Sequence, residues 1–137
     1  MEKTFIILKP DAVERKLVGE IISRLERKNL NLLHMKVETI PKDIAQKHYE
    51  HVKDIPIFGE MIEYITSGPV VMMIVQGEQA INTVRTMMGK TSSFEALPGT
   101  IRGDYGAHRY KNLIHASDSP ESAAVEIQRF FPEIKDE

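Results

Sequence analysis

The chain has 137 residues, of which 42% are hydrophobic and 28% charged, and its formal net charge is -2. This length and composition predict one globular domain over residues 1–137 and exclude a fibrous or low-complexity protein. The slightly negative charge argues against long-range attraction to nucleic acid, although a local basic cleft is compatible with it. Cysteine is absent, which excludes disulfides and thiol catalysis and fits a reducing compartment. No apolar run approaches the ~20 residues of a membrane span, so we expect a soluble, cytoplasmic protein without membrane contact.

Apolar periodicity predicts the elements of the first half of the chain. A buried strand is expected at Thr4–Leu8, and Lys9-Pro10-Asp11 ends it, because proline cannot continue a ladder. The pattern then predicts a helix at about 17–28, a strand within 30–40, a helix opened by Pro41, and a helix from Phe58 to Ile65.

The second half contains the clearest strand, at Val70–Gln76, where six of seven residues are apolar. A helix over 80–88 follows, and Gly89 ends it. Residues 90–111 show no sustained period and predict a long functional loop. Leu113-Ile114 then reads as a short strand that carries His115. The last helix begins either at an Asp118–Glu121 capping box or at Ser119-Pro120.

Without the small helix pair in the middle, this order is βαββαβ. The pattern is typical of an α+β, ferredoxin-like sandwich, with helices on one face of a mainly antiparallel four-stranded sheet. The extra helix pair and the long loop before the last strand are additions to that plan.

Basic side chains are the first candidates for a site. Lys9, Arg85 and Arg102 belong to different elements, and Arg109 lies in the long loop. Phosphate recognition needs positive donors that converge from several directions. A single lysine or arginine is more often a solvated surface charge, so only convergence would support a phosphate site.

Histidine chemistry gives the second candidate. Of the five histidines, His115 has a carboxylate, Glu126, about two turns into the following helix, and such a carboxylate can fix the imidazole tautomer. From the pattern alone, a satisfied core histidine remains the more frequent alternative. His48 and His51 are spaced for metal binding, but no third ligand is evident. Gly89-Lys90-Thr91 is not a P-loop, because the required glycine five positions earlier is Val84.

Four segments carry a resemblance to a known family. They are Lys9-Pro10-Asp11, Leu17–Ile21, Pro98–Asp104 and Asn112–Asp118. In this order they resemble nucleoside diphosphate kinases, and the similarity runs from Thr4 to Pro132. The resemblance implies that His115 takes the γ-phosphate of a nucleoside triphosphate and passes it to a nucleoside diphosphate. Chance agreement of all four is negligible, which favours a nucleophilic His115 over a core histidine.

The resemblance also implies roles for matching residues. Ser117 and Glu126 would hold the histidine, and Lys9 and Tyr49 complete the catalytic set. The nucleotide contacts would come from Lys9, Tyr49, Ile57, Arg85, Thr91, Arg102, Arg109 and Asn112. Mg²⁺ would enter on the nucleotide phosphates with no dedicated protein site. Nucleoside triphosphates and diphosphates are then the partners, and a homo-oligomer, a tetramer or a hexamer, is expected.

Two departures from the family concern the nucleotide base. The family commonly has an aromatic residue at Ile57 and an aliphatic one at Arg109, and we hypothesise that Arg109 forms one wall of the base slot. Two other functions compete with the kinase. An RNA-binding sheet is disfavoured, because Phe5 is the only aromatic in a confident strand. A catalytically silent family member that acts as a nucleotide-binding or scaffold module stays the alternative.

Overall fold

A computed structural model describes residues 1–134 of the chain. Its centre is a four-stranded sheet in the order β2-β3-β1-β4. The strands are β1 (Glu2–Leu8), β2 (Asn31–Glu38), β3 (Val70–Gly77) and β4 (Ile114–Ala116). Every neighbouring pair is antiparallel, with Ile7 opposite both Met72 and His115. The predicted ferredoxin-like sheet is therefore confirmed.

The two crossover helices lie on one face of the sheet, as predicted. These are α2 (Val18–Arg27), which joins β1 to β2, and α5 (Ala80–Met88), which follows β3. Ile21 and Leu25 of α2 pack with Ile6 and Val84 in one buried apolar cluster. Because side chains alternate across a strand, every second residue of β1 and β3 contributes to this layer.

Three further helices and a 3-10 turn cover the opposite face, which the prediction of helices on one face had left open. They are α3 (Lys42–His48), a 3-10 turn at Glu50–Val52, α4 (Phe58–Ile65) and α7 (Pro120–Phe130). Phe5, Met72, Ile62 and Phe130 belong to this second cluster. Burial on both faces explains why Val70–Gln76 has no polar face: β3 is covered on each side.

Local boundaries differ from the predictions at three places, and a fourth decides between the two predicted starts of the last helix. Pro10 ends β1 but also opens a short helix, α1 (Pro10–Glu14), which its fixed φ favours. The long loop contains α6 (Ile101–Tyr105), where the Thr100 hydroxyl accepts a hydrogen bond from Gly103 N–H. β4 begins one residue later than predicted, since Leu113 has φ 76. At α7, Ser119 rather than Asp118 is the N-cap and accepts from Ser122 N–H.

Within residues 1–134, no helix combines the length and the apolar character that crossing a membrane requires.

Candidate active site

His115 lies at the centre of β4, between two buried residues of the first core cluster. Ile114 and Ala116 point into that cluster, so the alternation of the strand directs His115 to the other face, toward α3 and α7. Its side chain keeps 22% of its surface exposed. The His115 ring is therefore not sealed from solvent, as the alternative of a core histidine would require.

The His115 imidazole contacts a carboxylate, which a hydroxyl group contacts in turn. His115 Nε2 lies 3.1 Å from Glu126 Oε1, and Ser117 Oγ donates to the same oxygen at 2.7 Å. Ser117 is fully buried, and its hydroxyl also accepts Phe5 N–H at 3.3 Å. Burial alone would raise the pKa of Glu126, but the hydrogen bonds from His115 and Ser117 outweigh it and lower that pKa. An ionised Glu126 favours the proton on Nε2, which leaves Nδ1 with a lone pair.

A second histidine, which sequence reasoning did not assign to the site, packs on the first. The His48 ring meets His115 edge-on, with centroids 4.5 Å apart, and its Nδ1 lies 3.4 Å from Arg129 Nη1. Burial, followed by the charges of His115 and Arg129, lowers the pKa of His48 to about 2. It is therefore neutral at physiological pH and accepts from Arg129. The sequence feature that could have pointed to His48 is its position on the buried face of α3, because a buried polar ring needs a hydrogen-bond partner.

Three ligand atoms come close enough to suggest a metal. The side chains of His48, His115 and Glu126 each offer one atom, and these atoms lie within 4.8 Å of one another. Two of the three donors are imidazole nitrogens, which suit zinc or copper better than magnesium. The contacts of Glu126 with His115 and Ser117 account for this cluster without a metal.

Three of the four predicted basic residues, Lys9, Arg85 and Arg102, line the same cleft as His115. Lys9, at the end of β1, donates from Nζ to Asn112 Oδ1 at 2.8 Å. Burial, reinforced by the charge of Arg102 and opposed by Asp11, lowers the pKa of Lys9 to about 7. Arg85 of α5 donates from Nη1 to the carbonyl of Ala116 at 3.0 Å, next to the histidine.

Arg102 of α6 is buried and braces the loop before β4. Its guanidinium donates to the carbonyls of Asn112 at 3.2 Å, Ile114 at 2.5 Å and Gly89 at 3.2 Å. These bonds flank Leu113, a non-glycine residue in the left-handed region, where backbone strain must be balanced by surrounding contacts. Burial and the neighbouring Arg85 lower the pKa of Arg102 to about 10, so it stays charged at neutral pH.

One cleft of about 880 Å³ collects most of the predicted residues. Predicted residues in its lining are Lys9, Tyr49, Arg85, Thr91, Arg102, Asn112, His115 and Glu126. Asn112 joins two sides of it, because its amide donates to Thr91 O at 2.8 Å while its oxygen accepts from Lys9. Tyr49 is buried beside His48, and burial raises its pKa to about 12.

Three predicted residues lie outside the lining of this cleft. Ser117 is buried and donates to the carboxylate that contacts His115, which agrees with its predicted orienting role. Among the described residues, the lining also lacks Ile57 and Arg109, the pair predicted to flank the base. Met61 and Tyr110 line the cleft instead.

This arrangement combines a ring nitrogen with a free lone pair, a carboxylate behind the ring, and three cationic side chains around it. Such a group can form a bond to phosphorus while the cations stabilise the charge on the phosphoryl oxygens.

Comparison with known proteins identifies the family. The family model "Nucleoside diphosphate kinase" matches residues 2–135. A nucleoside diphosphate kinase of Acetivibrio thermocellus is 62% identical over 134 residues, covering 98% of each chain. One from Archaeoglobus fulgidus is 53% identical over 131 residues, covering 96% of this chain and 87% of the relative.

Solved structures agree with this family. A crystal structure of nucleoside diphosphate kinase from Encephalitozoon cuniculi superposes with a TM-score of 0.93 at 42% identity, covering 95% of this chain and 88% of that one. The halophilic nucleoside diphosphate kinase of Halobacterium salinarum, in complex with CDP, gives a TM-score of 0.94 at 43% identity, covering 99% and 92%. The chain therefore belongs to the nucleoside diphosphate kinase family of phosphotransferases.

Proposed function

We propose that this chain transfers the γ-phosphate of a nucleoside triphosphate to a nucleoside diphosphate through a phosphohistidine at His115. The observation that carries the proposal is the bond of His115 Nε2 to Glu126 at 3.1 Å in a cleft lined by Lys9, Arg85 and Arg102. That bond leaves the other ring nitrogen free to act as the nucleophile.

The reaction has two half-steps of opposite direction. In the first, the Nδ1 lone pair attacks the γ-phosphorus, and the bond from phosphorus to the β,γ-bridging oxygen breaks, so the nucleoside diphosphate leaves with that electron pair. In the second, a terminal β-phosphate oxygen of another diphosphate attacks the phosphorus, and the phosphorus–nitrogen bond breaks. Glu126, held by Ser117, stabilises the charge that develops on the imidazole during each step.

The cations supply charge stabilisation without contacting the base. We assign phosphate contacts to Lys9, Arg85, Arg102, Tyr49 and Thr91, and ribose contacts to Asn112 and Lys9. The hydrogen bond from Lys9 to Asn112 supports this division, because it places a cation and an amide at one point of the cleft. Since none of these groups reads the base, broad base specificity follows.

Base contacts by Ile57 and Arg109 remain a prediction. The two residues lie outside the lining of the unliganded cleft, so each would have to reach the base by a side-chain adjustment. Kinetics of Arg109→Ala measure this contribution.

Magnesium would enter the cleft bound to the nucleotide phosphates. The cleft is lined by the cations Lys9, Arg85 and Arg102, and its lining also includes the carboxylates Glu50, Asp118, Glu121 and Glu126. Within residues 1–134, the cluster spaced to hold an ion is His48, His115 and Glu126 rather than a group of carboxylates, which favours a hydrated Mg²⁺ held mainly by the nucleotide phosphates. When bound, Mg²⁺ would neutralise phosphate charge and polarise the γ-phosphoryl group.

A homo-oligomer of four or six chains and a cytoplasmic location complete the proposal. Exposed apolar side chains on β2 and in the loop after α5 support association. The absence of cysteine from the sequence supports a reducing compartment.

Labelling with γ-phosphate-labelled ATP tests the function. We expect wild-type protein to acquire an acid-labile, alkali-stable label, and ADP to remove it. His115→Gln should abolish the label, whereas His34→Gln, a change on β2 outside the cleft lining, should retain it. Nucleotide binding without any label would favour the catalytically silent alternative.

A further inference from the structure

The lining of the cleft contains an aromatic ring that the family resemblance did not assign. Tyr110 lies in its lining, together with Met61 of α4. Aromatic side chains bind nucleotide bases by stacking, which depends on a π face rather than on base identity. The position where the family usually offers such a face holds Ile57 in this chain.

The Tyr110 side chain contacts three neighbouring side chains. Its hydroxyl donates to Glu60 Oε2 of α4 at 3.0 Å. The ring meets Tyr64 at a centroid distance of 6.1 Å and 68°, and His108 at 4.7 Å and 83°. Both are edge contacts rather than parallel stacks. Tyr110 therefore connects the loop before β4 to helix α4.

The backbone beneath the ring is also held. His108 Nδ1 accepts the N–H groups of Tyr110 and Lys111, each at 3.3 Å. The side chain of Lys111 lies 5.8 Å from the Tyr64 ring, on the same side of the loop. A ring that is already ordered in the free protein loses little conformational entropy when a ligand binds against it.

The order of residues along the loop follows the order of groups in a nucleotide. His115 is the phosphoryl acceptor. Asn112, three residues before His115, contacts Lys9, and Tyr110 lies two residues before Asn112. Two extended residues span at most about 7 Å, which is comparable to the separation of ribose and base. If Asn112 binds the ribose, Tyr110 is placed where the base begins.

We propose that Tyr110, held by Glu60, is the aromatic wall of the base slot and determines nucleotide affinity in this chain. The inference rests on the proposed function, because it uses the orientation of the nucleotide with its phosphates at His115. A larger base covers more of the ring, so purine nucleotides gain more from the contact than pyrimidine nucleotides.

Binding of ADP and of base-free ribose 5-diphosphate, measured by calorimetry, tests the proposal. We expect Tyr110→Ala to weaken ADP binding at least about fivefold, the low end for stacking on a base, and CDP binding less. Ribose 5-diphosphate should bind Tyr110→Ala and wild-type protein within about twofold, which also shows that the variant is folded. Tyr110→Phe keeps the ring and should stay closer to wild type than Tyr110→Ala.

Arg109→Ala tests the competing assignment, in which Arg109 flanks the base although it lies outside the cleft lining. A larger loss of ADP binding in Arg109→Ala than in Tyr110→Ala would overturn the inference. Equal losses of affinity for ADP and for ribose 5-diphosphate in Tyr110→Ala would also overturn it. Tyr110 would then affect only the shape of the cleft and not the contact with the base. The readout is nucleotide binding and not phosphoryl transfer. If Tyr110→Ala weakens ADP binding as expected but wild-type protein acquires no label at His115, the result contradicts only the proposed transfer reaction.

Discussion

Lys9 is a buried amine whose neighbours disfavour its charge. Burial contributes most, and Arg102 adds to it, so the pKa is lowered to about 7. An entering phosphate carries negative charge into the same cleft and favours the protonated amine. The nucleotide-bound pKa of Lys9 therefore lies above that of the free protein.

This difference predicts proton uptake on nucleotide binding above pH 7. Free Lys9 loses its proton as pH rises through about 7, whereas bound Lys9 keeps it, so ADP affinity should fall by up to about tenfold per pH unit above that point. Calorimetry at pH 8 in buffers of different ionisation enthalpy measures the proton number. We expect up to one proton for wild type and a clearly smaller number for Lys9→Met; equal uptake by both would contradict the assignment.

Sequence patterns marked residues with distinctive chemistry as candidates, the family resemblance selected among them, and residues defined by their neighbours were missed. His115 and the cations were candidates because imidazole and guanidinium groups suit phosphoryl transfer, and the resemblance gave them their predicted roles. His48 was considered as a metal ligand beside His51, and its neighbours in the chain do not reveal the contact with Arg129, 81 positions away. Tyr110 was missed for the same reason, since its partner Glu60 is 50 positions away.

At the level of elements, long periodic segments were predicted well and short ones poorly. The helices α2 and α5 show the apolar stripe that period 3.6 requires. The five-residue helix α6 is too short for any period, and its existence depends on tertiary contacts of Arg102. Gly103 in this helix approaches the loop so closely that an added Cβ would lie 1.9 Å from the carbonyl oxygen of Leu97.

This close approach predicts opposite effects of the same substitution at two helical glycines. Gly103→Ala should lower the free energy of unfolding by at least about 2 kcal/mol, because the backbone of the loop must move. It should also weaken nucleotide binding, since it displaces the helix that carries Arg102. Gly19→Ala in α2, where nothing lies within 4 Å of the added Cβ, should raise stability by about 0.5–1 kcal/mol.

Urea unfolding at one fixed chain concentration measures both glycine variants, which matters if unfolding is coupled to dissociation. A Gly103→Ala protein that unfolds like wild type would show that the packing around α6 is not the constraint. A destabilised Gly19→Ala protein would contradict the prediction for the open position in α2.

For the whole molecule, the sheet has one short and one long edge. β4 has three residues, whereas β2 has eight, and an edge strand presents N–H and C=O groups that another chain can pair with. Met35 and Val37 on this strand are 55% and 63% exposed, although they are apolar. They lie opposite Met73 and Val71, so they extend the face that carries α2 and α5.

This exposed edge predicts where the proposed oligomer forms its contacts. Val37→Lys should reduce the mass measured by light scattering from that of four or six chains to a smaller species, because a lysine on an edge strand opposes strand pairing. Ile55→Lys is the matched control: Ile55 is also apolar and 43% exposed, but lies outside the strands. It should leave the mass unchanged. A Val37→Lys protein with the wild-type mass would move the interface elsewhere, toward the exposed Phe94 and Leu97 of the loop after α5.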